Sequence, residues 1–297
     1  MKLSISNIAW DKKYDEDMYE YLALSGFEGI EIAPTRIIEN NPYDNLDKAR
    51  EFKSLMDNKG LEISSMQSIW FGRDERIFYT EKERKDLLNY TEKAIDFASI
   101  IRCKNLVFGS PKNRSYEEFI EMEEDPSFKG DAFEIVTGSH HYEYEEPQVQ
   151  SYDALNNMKN GISFFKEIAS YAEMNDTCFS IEPNPAIYNT NFINESRQAF
   201  GLAKEIDSDG FKVNIDFGTI IQNNEDLKSI KKNISLVNHV HISEPYLAVI
   251  EKTAKHRELA EILKNGGYEK YVSIEMKNHG DIQIVKDVMR YVKGVFG

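Results

Sequence analysis

The chain has 297 residues, 36 Lys and Arg against 51 Asp and Glu, and a formal net charge of −15. A grip on nucleic acid phosphates or on an anionic membrane needs a basic face, so neither is an expected partner. With 41% hydrophobic and 29% charged residues the chain can build a large core, and its length fits two domains of about 150 residues or one α/β barrel of about 250 or more.

The N-terminus, Met1-Lys2-Leu3-Ser4-Ile5-Ser6-Asn7-Ile8, holds too short an apolar run for a signal peptide, and no stretch reaches about 18 apolar residues. The expected location is the cytoplasm. Cys103 and Cys178 show no Cys-x-x-Cys or Cys/His spacing, which argues against a disulfide scaffold and a thiolate zinc site.

Eight short β-rich runs follow in order, at 2–8, 29–33, 61–67, 105–109, 178–182, 212–216, 237–242 and 271–275. Segments of helical period separate them, such as 86–100 and 157–172, where apolar residues recur at three and four. Eight strand-plus-helix units in succession predict an α/β fold, a single-domain (β/α)8 TIM barrel over 1–297. One connection, after the fourth run, carries a long insertion at about 115–152. Its segment 117–125 holds six acids and is followed by Pro126, Gly130, Gly138 and Pro147. A long connection on the face where barrel enzymes work reads as a lid or partner surface, or as a solvated excursion without a role. His140 and His141 within it receive no assignment. No Gly-x-Gly-x-x-Gly, phosphate-binding loop or Gly-x-Ser-x-Gly occurs, and Gly266-Gly267 reads as a helix stop.

Side chains at the C-terminal ends of barrel strands converge on one mouth. Runs five to eight close, in order, on Glu182, Asp216, His241 and Glu275. Any one of these carboxylates reads equally well as a helix cap or the partner of a lysine. Together, three carboxylates in one mouth would repel one another unless protons or a cation held them, and an imidazole beside them completes the sphere of one divalent metal. Three oxygens and one nitrogen favour Mn²⁺, Mg²⁺ or Co²⁺, with Zn²⁺ and Fe²⁺ as alternatives.

The segments Ile181-Glu182-Pro183-Asn184, Asn214-Ile215-Asp216-Phe217-Gly218, His239-Val240-His241-Ile242-Ser243-Glu244-Pro245 and Ser273-Ile274-Glu275-Met276 resemble the xylose-isomerase-like TIM-barrel superfamily of sugar phosphate isomerases and epimerases. The resemblance covers nearly the whole chain and is weakest at the insertion. It implies that Glu182, Asp216, His241 and Glu275 bind one divalent metal and that Glu182 and Glu275 are also the catalytic acid/base pair. It implies a sugar or related polyol as substrate and leaves room for a homo-oligomer. The sequence departs from the ketose 3-epimerase branch at Thr219, Leu247 and Tyr188, where that branch has a histidine, a substrate-binding arginine and a glutamate. The C3-epimerase label therefore does not transfer. Endonuclease IV, on the same scaffold, needs further histidines for three zincs; Gln67, Phe108-Gly109-Ser110 and Thr219 stand in their places.

Further residues point to the same mouth as candidate substrate-binding groups. Gln67 and Trp70, with Phe71, would supply an amide and a stacking wall for a sugar ring, or the two aromatics are loop packing. Lys112 and Arg114, just beyond the fourth run, would hold a carboxylate or phosphate, or answer the acids of the insertion. Asn184 is a hydroxyl partner. His256 reaches the site from the seventh loop or merely starts the helix at 257–263. His239, two before His241, lies one layer deeper as a supporting or core group.

The function these readings predict is a divalent-metal-dependent isomerase or epimerase of a sugar or polyol, working by proton abstraction next to a carbonyl through an enediolate. The alternatives are a metal-dependent keto-polyol dehydratase, which expels a β-hydroxyl from the same intermediate, and a non-catalytic binding or scaffold barrel.

Overall fold

Ile, Val and Phe alternate with small or polar residues inside most of the predicted runs, and that alternation sets the architecture. In the computed structural model, which describes residues 1–116 and 151–297, the runs form eight strands: β1 Lys2–Ser6, β2 Gly29–Ile32, β3 Glu62–Met66, β4 Leu106–Phe108, β5 Phe179–Ile181, β6 Phe211–Asp216, β7 Val237–Ile242 and β8 Tyr271–Ile274. Each pairs in parallel with the next, and β8 pairs with β1 to close the barrel. Leu3 and Ile5, Ile30 and Ile32, and Val240 and Ile242 pack with the helices into one continuous core. The intervening residues, among them Ser4, Ser6, Glu31, Ser65, Asn214, His239 and His241, are buried as well. Since alternate side chains point to opposite faces of a strand, these polar groups fill the barrel interior and bond one another across it.

The strands are shorter than the predicted runs at several ends. β1 stops at Ser6, where a short 3₁₀ turn at Asn7–Ala9 begins, and β5 and β8 each stop one residue before the glutamate that closes the run. The ladder nevertheless reaches both: Glu182 N donates to Phe108 O at 2.9 Å, and Glu275 N donates to Ile242 O at 3.0 Å.

Ten helices are described: α1 Asp15–Ser25, α2 Pro34–Ile37, α3 Leu46–Lys59, α4 Glu81–Ile100, α5 Ser151–Met174, α6 Ser196–Ile206, α7 Phe217–Gln222, α8 Lys228–Lys232, α9 Ala254–Asn265 and α10 Ile282–Phe296. The predicted segments 86–100 and 157–172 fall inside α4 and α5. Helix α4 begins earlier than its apolar period because Thr80 and Glu83 cap each other reciprocally: Glu83 N donates to Thr80 Oγ1 at 3.2 Å and Thr80 N to Glu83 Oε2 at 3.1 Å. A Cβ on Gly210 would lie 2.0 Å from the carbonyl oxygen of Ala169, so only glycine lets the start of β6 approach α5 this closely. Most of the 115–152 insertion, with its acidic segment and His140 and His141, lies outside the described residues, and so does its expected role as lid or partner surface. No helix among the described residues is long and apolar enough to cross a membrane.

Candidate metal centre

Parallel registry brings the four run-closing residues together. Asp216 pairs with His241 across β6 and β7, and Ser273, two residues before Glu275, pairs with His241 across β7 and β8. One donor atom from each of Glu182, Asp216, His241 and Glu275 lies within 4.8 Å of the others, and all four residues are buried. His241 Nδ1 stands 2.8 Å from Glu182 Oε1 and 3.2 Å from Glu275 Oε2. Neither contact has the alignment of a hydrogen bond, so this buried nitrogen has no hydrogen-bond partner. Its other nitrogen does: Nε2 is bonded to Glu31 Oε2 at 2.8 Å.

Neighbouring groups fix each carboxylate. Asn214 Nδ2 donates to Glu182 Oε1 at 2.7 Å, and Asn184 Nδ2 approaches Glu182 Oε2 at 3.3 Å. Asp216 caps α7: its Oδ2 accepts from Thr219 N and from Thr219 Oγ1, both at 2.7 Å, while Ser243 Oγ donates to Oδ1. Thr219, where the sequence departs from the ketose 3-epimerase pattern, therefore holds the aspartate.

Burial raises the carboxyl of Asp216, and the charge of Glu182 adds to the rise against hydrogen bonds from Ser243 and Thr219. Burial also raises Glu275, which His241 opposes. For His241 burial alone lowers the imidazole, but the carboxylates of Glu31 and Glu275 outweigh it and hold the ring well above its ordinary value. The raised groups hold protons more firmly than the free side chains do, and a divalent cation competes for the same donor atoms. Three buried carboxylates and an imidazole nitrogen with no hydrogen-bond partner fit a divalent cation in donor type, number and closeness.

Glu182, Asp216 and Glu275 floor a cavity of about 520 Å³ at the C-terminal mouth, with His241 fully buried and off its surface; the wall includes Gln67, Asn184, Tyr188, Tyr246, Leu247 and Lys277. A larger cavity, about 770 Å³, lies at the opposite mouth among residues such as Lys2, Glu62 and Lys270, and contains none of the four convergent groups. Chemistry in this architecture belongs to the C-terminal mouth, so the smaller cavity is the candidate site.

The other predicted substrate-binding residues divide. Gln67 and Asn184 line the cavity; Gln67 Nε2 donates to Ser6 Oγ at 2.8 Å, and Asn184 Oδ1 is buried without a hydrogen-bond partner. Trp70 does not form a wall. Its ring is buried edge-on against Phe108 and Phe164, and its Nε1 donates to Thr91 Oγ1 at 2.8 Å, while Phe71 is exposed and off the cavity. Lys112 turns outward to pair with Asp74. Arg114 is fully buried beneath the site, where Nη1 donates to Glu182 O at 2.6 Å and Nη2 to Ile193 O at 3.2 Å. The expected cation grip beyond β4 is thus a backbone clamp, and the cation on the cavity wall among the described residues is Lys277. His256 is buried in the helical layer, its ring 4.1 Å from that of Phe217 and its Nδ1 3.0 Å from Tyr291 Oη, away from the cavity.

Sequence reasoning passed over Glu31. It is fully buried, and Oε2 gathers His241 Nε2, His239 Nε2 at 3.1 Å and the hydroxyl of Ser65. Its signal in the sequence is a charged residue inside the apolar run Gly29-Ile30-Glu31-Ile32, short of the run's end and so outside the set of run-closing residues.

Residues 19–294 match the sequence model of the family described as xylose isomerase-like TIM barrel. No curated protein sequence matches the chain. Among solved structures, 3-keto-D-glucoside 4-epimerase from E. coli superposes with a TM-score of 0.72 at 18% identity, covering 99% of each chain. D-psicose 3-epimerase from Clostridium cellulolyticum H10 gives 0.71 at 15% identity, covering 100% of this chain and 99% of the other. The probable 3-DHS dehydratase AsbF from Bacillus anthracis gives 0.67 at 16% identity, covering 99% of each. At such identities these structures speak for the shared barrel, and the sequence match over most of the chain makes the protein a member of the xylose isomerase-like TIM barrel family.

Proposed function

We propose that the protein is a divalent-metal-dependent isomerase or epimerase acting on a sugar or related polyol, by proton transfer at a carbon next to a carbonyl. The observation that carries this reading is the convergence of Glu182, Asp216, Glu275 and the buried His241 Nδ1, the three carboxylates opening onto a cavity at the C-terminal mouth. The likeness to sugar epimerase structures supports it. When bound, a divalent ion supplies positive charge that stabilises an enediolate.

The protein's own groups account for the proton. Strands β5 and β8 are not neighbours in the ring, so Glu182 and Glu275 reach the cavity floor from different sides. One carboxylate removes the proton from the substrate carbon, and the bonding pair moves toward the carbonyl oxygen to form the enediolate. The other, protonated, returns a proton to the opposite face of that carbon for epimerisation, or to the former carbonyl carbon for isomerisation. In isomerisation the hydroxyl proton of the first carbon passes to the former carbonyl oxygen, and the carbonyl re-forms on the first carbon. Burial raises Glu275 toward the protonated form that such an acid needs. In this reading Gln67 and Asn184, on the cavity wall, bind substrate hydroxyls, and Lys277 meets an anionic substituent.

The test uses full-length protein stripped with a chelator and reloaded with Mn²⁺, screened against a panel of ketoses, ketosides and polyols for solvent deuterium uptake at carbon. Uptake that requires the ion and falls by about 10²–10⁴-fold in Glu275→Gln is expected. Uptake indifferent to both would refute the reading. Likeness to a dehydratase structure supports a second outcome, in which the same enolate expels a β-hydroxyl. A conjugated ultraviolet product identifies that reaction, since epimerisation forms none.

A further inference from the structure

Glu31 has no place on the cavity wall and is fully buried, so it does not touch substrate. Strand β2 is also three places away from β7 around the closed ring, so the contact of Glu31 with His241 crosses the barrel interior. We propose that Glu31 is a positioning residue, whose carboxylate takes the Nε2–H of His241 and so presents the bare Nδ1 to Glu182, Asp216 and Glu275 as the nitrogen ligand of the metal. This inference rests on the metal reading above.

Three observations support it. The first is the asymmetry of the imidazole. Nε2 makes an aligned hydrogen bond to Glu31 Oε2 at 2.8 Å, whereas Nδ1, although 2.8 and 3.2 Å from two carboxylate oxygens, is aligned with neither. A neutral imidazole carries one N–H and one lone pair, and the acceptor that takes the N–H decides which nitrogen is free to bind a metal. The second is how firmly Glu31 itself is held. Ser65, its register partner on β3, donates to the same Oε2, and His239 Nε2 lies 3.1 Å from it. The third is a register shift in the β2–β3 ladder: Ile30 pairs with Ile63 but Glu31 with Ser65, so the extra residue, Ser64 on β3, brings the Ser65 hydroxyl opposite the carboxylate. A lone acid in an apolar strand is costly to bury, and apolar side chains would fill the interior as stably, so orientation of a ligand is a better reason for its presence than stability.

A rival use of the same atoms is a second cation held by Glu31, His239 and His241, whose donor atoms also lie close together. The experiment separates the two. Mn²⁺ is titrated calorimetrically into metal-free full-length wild type, Glu31→Gln and Ser65→Ala, with melting of each metal-free protein recorded. In parallel, Zn²⁺-loaded, ¹⁵N-histidine-labelled wild type and Glu31→Gln are compared by NMR at the His241 Nε2–H resonance. The expected result is one Mn²⁺ per chain throughout, an affinity about 10–100-fold lower in Glu31→Gln, a smaller loss in Ser65→Ala, and a changed or absent hydrogen-bonded Nε2–H signal. Affinity within twofold of wild type and an unchanged signal would overturn the proposal, as would a variant that only melts earlier. Two ions in wild type and one in Glu31→Gln would also overturn it, because Glu31 would then be a ligand. A wild-type chain that binds no ion at all would instead fail the metal reading on which the proposal stands, and the two failures are told apart by the wild-type titration.

Discussion

A single methyl group is enough to disturb the carboxylate at the centre of this site. Gly109 follows β4, and a Cβ there would lie 2.7 Å from Glu182 Oε2 and 3.2 Å from Asn184 Oδ1. Gly109→Ala should therefore displace Glu182 from the cluster, lowering turnover and Mn²⁺ affinity at least about tenfold while circular dichroism stays that of the wild type. Affinity and turnover equal to wild type would mean the carboxylate is not needed where it stands. The same residues explain which parts of the site sequence could reveal. Glu182, Asp216, His241 and Glu275 sit at strand ends, and strand direction alone brings them together. Trp70 and Arg114 lie beyond turns made by Ser68 and Ser110, which adopt left-handed conformations at φ 53° and 40°. Those turns send Trp70 down onto Thr91 and Arg114 beneath the Glu182 carbonyl. A left-handed serine leaves little mark in sequence, since glycine and asparagine are the residues that advertise such turns.

At the level of elements, the alternations Ser-Ile-Ser, Ile-Glu-Ile, Asn-Ile-Asp and His-Val-His in β1, β2, β6 and β7, and Ser-Ile-Glu across the end of β5, record two buried faces, one apolar toward helices and one polar toward the interior. Comparing only the residues that close each run recovers the rim of that interior and leaves out Glu31, one layer below it. His256 illustrates the opposite error, a polar side chain whose helix turns it inward. Its ring lies tilted against that of Phe217, the neighbour of Asp216, and bonds Tyr291 of α10. Burial lowers its pKa to about 4. Between that value and an unfolded value of about 6.5 the unfolded chain binds the extra proton, so stability is present above pH 6.5 and declines as pH falls toward 4. Wild type should lose up to about 2 kcal/mol between pH 7 and pH 5 through this residue. His256→Gln should lose correspondingly less over the same interval, as read from urea unfolding at the two pH values. Equal pH slopes in the two proteins would contradict the assignment.

For the molecule as a whole, ring closure was legible because eight strand-plus-helix periods leave no simpler arrangement, whereas contacts across the interior, such as Glu31 with His241, have no signature in chain order. Closure also couples the site to stability. The four convergent groups come from four consecutive strands, and three of them are acids crowded in a buried space, so without a cation the barrel bears the repulsion of its own acids. A cation that binds only the folded chain adds about 2.7 kcal/mol at a hundredfold excess over its dissociation constant, which for a domain of this size raises the melting temperature by roughly 4 °C. Glu275→Gln removes one acid while keeping its shape. Its metal-free form should melt at or above the wild-type temperature, because a buried like charge is gone, and its response to Mn²⁺ should fall to less than about half. Scanning calorimetry of both proteins, with chelator and with Mn²⁺, reads the four temperatures directly. A metal-free variant that melts far below wild type yet keeps the full Mn²⁺ response would show that Glu275 serves the fold and not the ion, and the acid/base role proposed for it would lose its basis.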